Sequence, residues 1–176
     1  MSDNDNVLEP QLKKFMRLVA QPVSIVTTKQ DDKLVGITVS SFTSISMKPP
    51  IVMISVSSSA PSLPLIIARE RFIVNLLSKG QEFLAERFSG VHNVKEKFEL
   101  INYSLNSRGL PVLSEAAAYM DCDLLTKYEA GDHLIILGRP VEINFSGKSE
   151  PLVYYAQQYC SVVNKSVLVL PEDYMN

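Results

Sequence analysis

The chain is poor in the residues from which metal and thiol redox sites are built. Its 176 residues contain two histidines, His92 and His133, and two cysteines, Cys122 and Cys160. Neither pair has the spacing of a metal-ligand set, so only carboxylates stay open as ligands. The cysteines form no C-x-x-C and read as small buried hydrophobes, not as a redox pair. No apolar run approaches the ~18 residues that cross a bilayer. No charged and apolar leader opens the sequence, so the expected compartment is the reducing cytoplasm. The N-x-S sequons at Asn102 and Asn164 are irrelevant there. Seventeen basic against nineteen acidic residues give no basic field for nucleic acid or an anionic membrane. A G-x-G-x-x-G after a strand and a G-x-S-x-G elbow are both missing. Gly147-Lys148-Ser149 resembles the end of a P-loop, but Glu142 stands where that loop requires glycine.

What is present fits one globular domain spanning 1–176, with 46% apolar and 20% charged residues and no internal repeat. Residues 1–8 are expected to be flexible. After Pro10, Leu12, Phe15, Met16 and Val19 make the stripe of an amphipathic helix. Val23, Ile25 and Thr27 alternate as in a strand, and Gln30-Asp31-Asp32-Lys33 supplies a hairpin turn into a second strand, Leu34 to Phe42. Further strands are expected at Ile51–Val56, Phe72–Leu77 and from Asp132 through Phe145, where Pro140 marks an edge or bulge. Short helices are expected at Leu63–Arg69, capped by Ser62 or Ser59, and at Gln81–Phe88. Residues 89–110 are mixed and polar. Pro151–Tyr159 reads as helical or irregular, and Val167–Leu170 as a last strand. Many short strands without βαβ alternation predict a mainly β, antiparallel barrel with peripheral helices.

The segment Val35 to Pro50, V-G-I-T-V-S-S-F-T-S-I-S-M-K-P-P, departs from an ordinary core strand. Its non-apolar positions are almost all small hydroxyls, with no Asp, Glu or Arg. Hydroxyls and backbone N–H groups suit a carbonyl-rich ring or a phosphate, and Gly36 would admit a ligand closely. The same composition is also that of a Ser/Thr-rich strand and loop.

This run resembles the signature of the flavin reductase-like family, short-chain NAD(P)H:flavin oxidoreductases that fold as Greek-key, FMN-binding split β-barrels. P-V-S-I-V-T-T at Pro22–Thr28 and P-P-I-V-M-I-S-V at Pro49–Val56 are similar to the flanking strands. R-F-I-V-N-L-L-S, with Gln81 and F-L-A-E-R-F through Phe88, resembles a strand and helix of the family. G-L-P-V-L at Gly109–Leu113, G-D-H-L-I-I-L-G at Gly131–Gly138 and P-L-V-Y-Y at Pro151–Tyr155 follow in order. The resemblance also implies a long strand from about Ala117, where Ala116-Ala117-Ala118 alone would favour helix.

The resemblance implies a homodimer that binds FMN, with FAD as an alternative, and takes hydride from NADH or NADPH. Reduced flavin would pass to a partner monooxygenase; the other class of activity it implies is a non-catalytic FMN electron carrier of the flavoredoxin type. A third reading is an interaction module that has lost flavin binding. The resemblance places Gly36, Ile37, Thr38, Val39, Ser40 and Ser41 near the flavin ring, and Ser55, Val56, Ser57, Ser58 and Ser62 near the ribityl chain and phosphate. Gln81 and Phe88 would lie over the flavin edge, and His133 of G-D-H would meet the nicotinamide. On the residues alone, Phe88 is also plain core, Asn75 a satisfied barrel amide and His133 a turn histidine. Two departures from the pattern stand out. The serine run lacks the basic residue that many relatives carry, leaving hydroxyls and N–H groups for a phosphate. Y-Y-A-Q-Q-Y, with Gln157 and Gln158, replaces a motif that often contains arginine, so the bidentate charged contact that would favour NADPH is lost.

Overall fold

The computed structural model describes residues 3–90, 97–147 and 150–162. His92, the Lys148-Ser149 pair and the expected strand at Val167–Leu170 lie outside the described residues.

A seven-stranded antiparallel sheet organises the chain. In chain order it contains β2 (Ser24–Gln30), β3 (Lys33–Val39), β4 (Thr43–Met47), β5 (Pro50–Ser57), β6 (Arg71–Leu76), β9 (Ala118–Ala130) and β10 (His133–Phe145). Their spatial order is β3-β2-β6-β9-β10-β5-β4. A smaller sheet joins β1 (Gln21–Pro22) to the hairpin β11 (Leu152–Tyr155) and β12 (Gln158–Ser161), and β7 (Tyr103–Leu105) pairs with β8 (Pro111–Leu113). The helices α1 (Asp3–Met16), α2 (Leu63–Arg69) and α3 (Glu82–Phe88) are peripheral. None is long and apolar enough to cross a membrane.

The sheet curls because one face must bury what the alternating strands present. β5 alternates buried Val52, Ile54 and Val56 with less buried neighbours, and β10 does the same with Leu134, Ile136 and Gly138. These residues meet Val26, Phe72, Val74 and Ile66 in one core. A second core on the other side of β2 holds Val23, Ile25, Leu77, Phe88, Leu113 and Leu152. Between them Asn75 is fully buried. Its amide donates to the Ile25 carbonyl and the Thr27 hydroxyl, both at 3.0 Å, and accepts from Leu113 N–H at 2.9 Å. The amide therefore ties β8 to the sheet with no polar atom left over.

Several expectations need revision. The first helix runs from Asp3 and includes Pro10, instead of following it. The strand from Leu34 stops at Val39, and Thr43–Met47 is a separate strand that folds back on β5. Pro151–Tyr159 is a strand, a turn and a second strand, with Ala156 and Gln157 at φ 50° and 64°. Such turns normally advertise themselves with Asn-Gly; Ala-Gln hides this one. Cys160 is only partly buried, whereas Cys122 is fully enclosed and its thiol is pushed up to about 12 by burial. The reading of Pro140 needs no revision: a bulge shifts the β9–β10 register beside it, beyond the last β5 partner at Gly138.

Candidate functional site

Two strands distant in sequence bring the hydroxyl residues together. The Ser41 hydroxyl donates to the Ser55 carbonyl and accepts from Ser55 N–H, both at 2.9 Å, so the end of the β3 segment is fastened to β5 by one side chain. Farther along β5, Ser57 pairs with His133 at the start of β10, and Ser58 N–H donates to the Asp132 carbonyl at 2.9 Å. Ser41, Ser55, Ser57 and His133 thus follow one another along a continuous rim. Ser57 and Ser59 hydroxyls lie 2.9 Å apart, and Ser58 and Ser59 are exposed. His133 Nδ1 sits 2.7 Å from an Asp132 carboxylate oxygen, and this contact first, with the neighbouring imidazole's charge second, holds the Asp132 carboxyl below its ordinary range. The histidine side chain remains 45% exposed, so its other nitrogen has room for a ligand.

Beside the rim, Thr38, Val39 and Ser40 form one wall of a cleft of about 440 Å³. Val23, Glu86 and Ser89, with Tyr154, Gln157 and Tyr159 of the β11–β12 hairpin, complete it. The volume falls in the range of small-molecule sites. Tyr154 and Tyr159 are cross-strand partners with ring centroids 5.3 Å apart, and they rest on the second core. Burial first, and then the Glu86 carboxylate, raise the Tyr159 phenol above its usual range. Thr38 donates its hydroxyl to the Ala85 carbonyl at 2.7 Å, which docks α3 onto β3.

Other residues named from the sequence occupy different surroundings. Gly36 is buried, and a Cβ there would lie 2.6 Å from the Phe88 ring. The glycine makes room for an aromatic side chain that is itself fully enclosed. Gln81 is buried and engaged: its carbonyl oxygen accepts from Ser78 N–H at 3.0 Å, and its amide donates to the Ser114 carbonyl at 3.0 Å. Ser62 is buried at the start of α2 and its side chain caps nothing. Ile37 packs against the first core, and Val56 is inside it.

Sequence reasoning passed over Glu86, Ser89, Tyr154 and Tyr159 as individual lining residues. Glu86 on α3 and Ser89 at its C-cap are three apart, one step round from buried Ala85 and Phe88, which is the spacing of a helix face adjoining a core. The tyrosines were concealed by the disguised turn.

The mainly antiparallel β fold thus carries a hydroxyl-lined rim beside a cleft of small-molecule size. A family model described as "Flavin reductase like domain" matches residues 16–163. The chain is 34% identical over 136 residues to a flavin reductase of Pseudomonas putida, covering 77% of this chain and 79% of that protein. It is 29% identical over 142 residues to the flavin-dependent monooxygenase reductase subunit HsaB of Mycobacterium tuberculosis, covering 80% and 75%. Among solved structures, the NADH:FAD oxidoreductase SgcE6 of Streptomyces globisporus superposes with a TM-score of 0.83 at 27% identity, over 96% of this chain and 94% of that one. SgcE6 has also been solved with NAD and FAD fragments. The chain belongs to the flavin reductase-like domain family.

Proposed function

We propose that the chain is an NAD(P)H:flavin oxidoreductase that binds FMN and passes reduced flavin to a partner monooxygenase. The observation that carries this reading is the convergence of Ser41, Ser55, Ser57 and His133 on one rim beside a cleft walled by Thr38–Ser40. The donor set fits the group. Exposed Ser58 and Ser59, with the Ser57 hydroxyl, suit a phosphate, while Val39 and the tyrosine pair give a planar ring an apolar flank.

The flavin supplies the hydride-accepting chemistry when bound; the protein aligns two rings and excludes water between them. In this reading Thr38–Ser40 hold one edge of the ring, the serine run holds the phosphate, and His133 contacts the nicotinamide. Gly36 and Phe88 act one layer below, as the packed support of that wall, and Gln81 fixes the entry to α3. NADH is the simpler reductant, because the described cleft lining has no cation for an additional phosphate. The names borne by HsaB and SgcE6 support a reductase role and a monooxygenase partner.

We place the protein in the cytoplasm on the strength of its two free cysteines, and assemble it as a homodimer. Val141, Ile143 and Phe145 on β10, with Leu125 and Tyr128 on β9, expose apolar surface along the two longest strands. Exposed apolar side chains on these strands suit an interface.

The deciding experiment is a visible spectrum of the purified protein together with NADH and NADPH oxidation in air, with and without added FMN. Turnover dependent on flavin supports the oxidoreductase. Bound flavin without turnover supports the electron carrier, the reading that Gln157 in place of a cation favours.

A further inference from the structure

The cleft beside the signature strand is unevenly charged. Its described lining contains one carboxylate, Glu86, and no cation. Arg87, the next residue, points elsewhere: it donates to the Lys97 carbonyl at 2.8 Å and the Glu99 carbonyl at 2.9 Å, and it lies over the Phe83 ring. Glu86 therefore faces the cleft without a guanidinium from its own helix beside it in the lining. Its charge also reaches the opposite wall, where it adds to burial in raising the Tyr159 phenol.

We infer that Glu86 is a specificity determinant that makes the cleft hold oxidised flavin more tightly than reduced flavin. The inference rests on the flavin oxidoreductase reading. In that reaction the C4–H bond of the dihydronicotinamide breaks and its hydrogen leaves with both electrons to form an N5–H bond. The nicotinamide is oxidised and becomes a cation. The flavin ring, neutral beforehand, is reduced by two electrons and keeps the negative charge, spread over N1 and the C2 carbonyl, until solvent supplies a proton. Glu86 thus meets little charge in the substrate ring and a like charge in the product ring. The phosphate has the same charge in both states and cancels from the comparison. Only such a difference between two states can bias release, because uniform affinity shifts nothing. For a protein whose product must leave for another enzyme, repulsion of the reduced ring favours departure.

Glu86 is exposed, so solvent and salt limit the effect to that of a surface charge contact. The test compares wild type, Glu86→Gln and Glu86→Lys by anaerobic titration with oxidised and photoreduced riboflavin and FMN, at mildly alkaline pH where the reduced ring is anionic. Glu86→Gln should tighten reduced-flavin binding by about three- to fivefold and leave oxidised-flavin binding within about twofold. The midpoint potential of the bound flavin should rise correspondingly by about 15–20 mV. Glu86→Lys should move both further in the same direction. In wild type alone, added salt should narrow the gap between the two affinities, a measurement that does not depend on a variant folding. Equal changes in both redox states, or a wild-type gap indifferent to salt, would overturn the role of Glu86 while leaving the oxidoreductase intact. Wild-type protein that binds flavin in neither state would overturn both.

Discussion

His133, at the start of β10, and Ser57, at the end of β5, are cross-strand partners although they lie far apart in the chain. This single register contact joins the serine run to the G-D-H turn, which the motifs named separately. It also makes their roles separable by substitution, because His133 is half exposed and Ser57 sits at a strand end, so neither change empties a core.

Replacing His133 with Ala should leave thermal stability and FMN loading nearly unchanged. The rate of flavin reduction by NAD(P)H should fall by about ten- to a hundredfold if ~1.4–2.8 kcal/mol of orientation is lost. Stopped-flow measurement of the reductive half-reaction checks this. Photochemical reduction, which needs no nucleotide, should proceed at the wild-type rate, and loss of FMN would instead place the residue in the flavin pocket.

Converting Ser57 and Ser58 together to Ala should weaken FMN by about tenfold or more, since hydrogen bonds to a charged group contribute roughly 1.5–3 kcal/mol each. Riboflavin affinity should hold. Parallel fluorescence titrations with the two ligands make the comparison, and equal losses would move the phosphate elsewhere.

Gly36→Ala forces a methyl group to within 2.6 Å of the Phe88 ring. Overpacking of this kind destabilises by about 1–3 kcal/mol. Chemical denaturation should show that loss, and the double variant Gly36→Ala/Phe88→Leu should recover part of it. Additive losses would mean that the two positions are not in steric contact.

Asp121 is fully buried, pairs with Arg108 at 3.0 Å and accepts from the Asn106 amide at 2.7 Å. Arg108 also pairs with Asp123, clamping the turn before β8 onto β9. Burial is the largest influence on the Asp121 carboxyl and raises it, against the lowering by Asn106 and Arg108. A raised folded-state value means that the folded protein binds the proton more tightly, so this group's contribution to stability declines as pH rises through the carboxylate range toward neutrality. Arg108→Met leaves the charge with one amide partner and should cost about 3–5 kcal/mol at neutral pH. That cost should shrink as acid protonates Asp121. Urea titrations of both proteins across the acidic range give the difference, and a cost independent of pH would remove Asp121 from the account.

Sedimentation should find a dimer, and Ile143→Glu with Phe145→Glu should yield a monomer of retained secondary structure. A wild-type monomer that still binds FMN would contradict the proposed interface.

Much of the sheet was readable from residue pattern because its strands alternate cleanly, as in β5, or carry breakers at their ends, as at Asp31–Asp32. β9 was less so: alanines at its start favour helix, and pairing with both β6 and β10 overrides that local preference. The split of the signature run into β3 and β4 left no mark in composition, since serine serves equally in strand and bend. Side-chain direction was the other hidden quantity. Gly36 and Phe88 both belong to the motif, yet which of them approaches a ligand and which only supports the wall depends on packing between α3 and β3, two elements brought together over a long stretch of chain.

α3 is held to the sheet by Ala85 and Phe88, while Glu86 and the C-cap Ser89 line the cleft. Shape and chemistry are thereby assigned to different residues of one short helix and its C-terminal cap. The wall's outline therefore rests on the buried pair, and the charge it presents rests on Glu86, which can change without emptying the core beneath it.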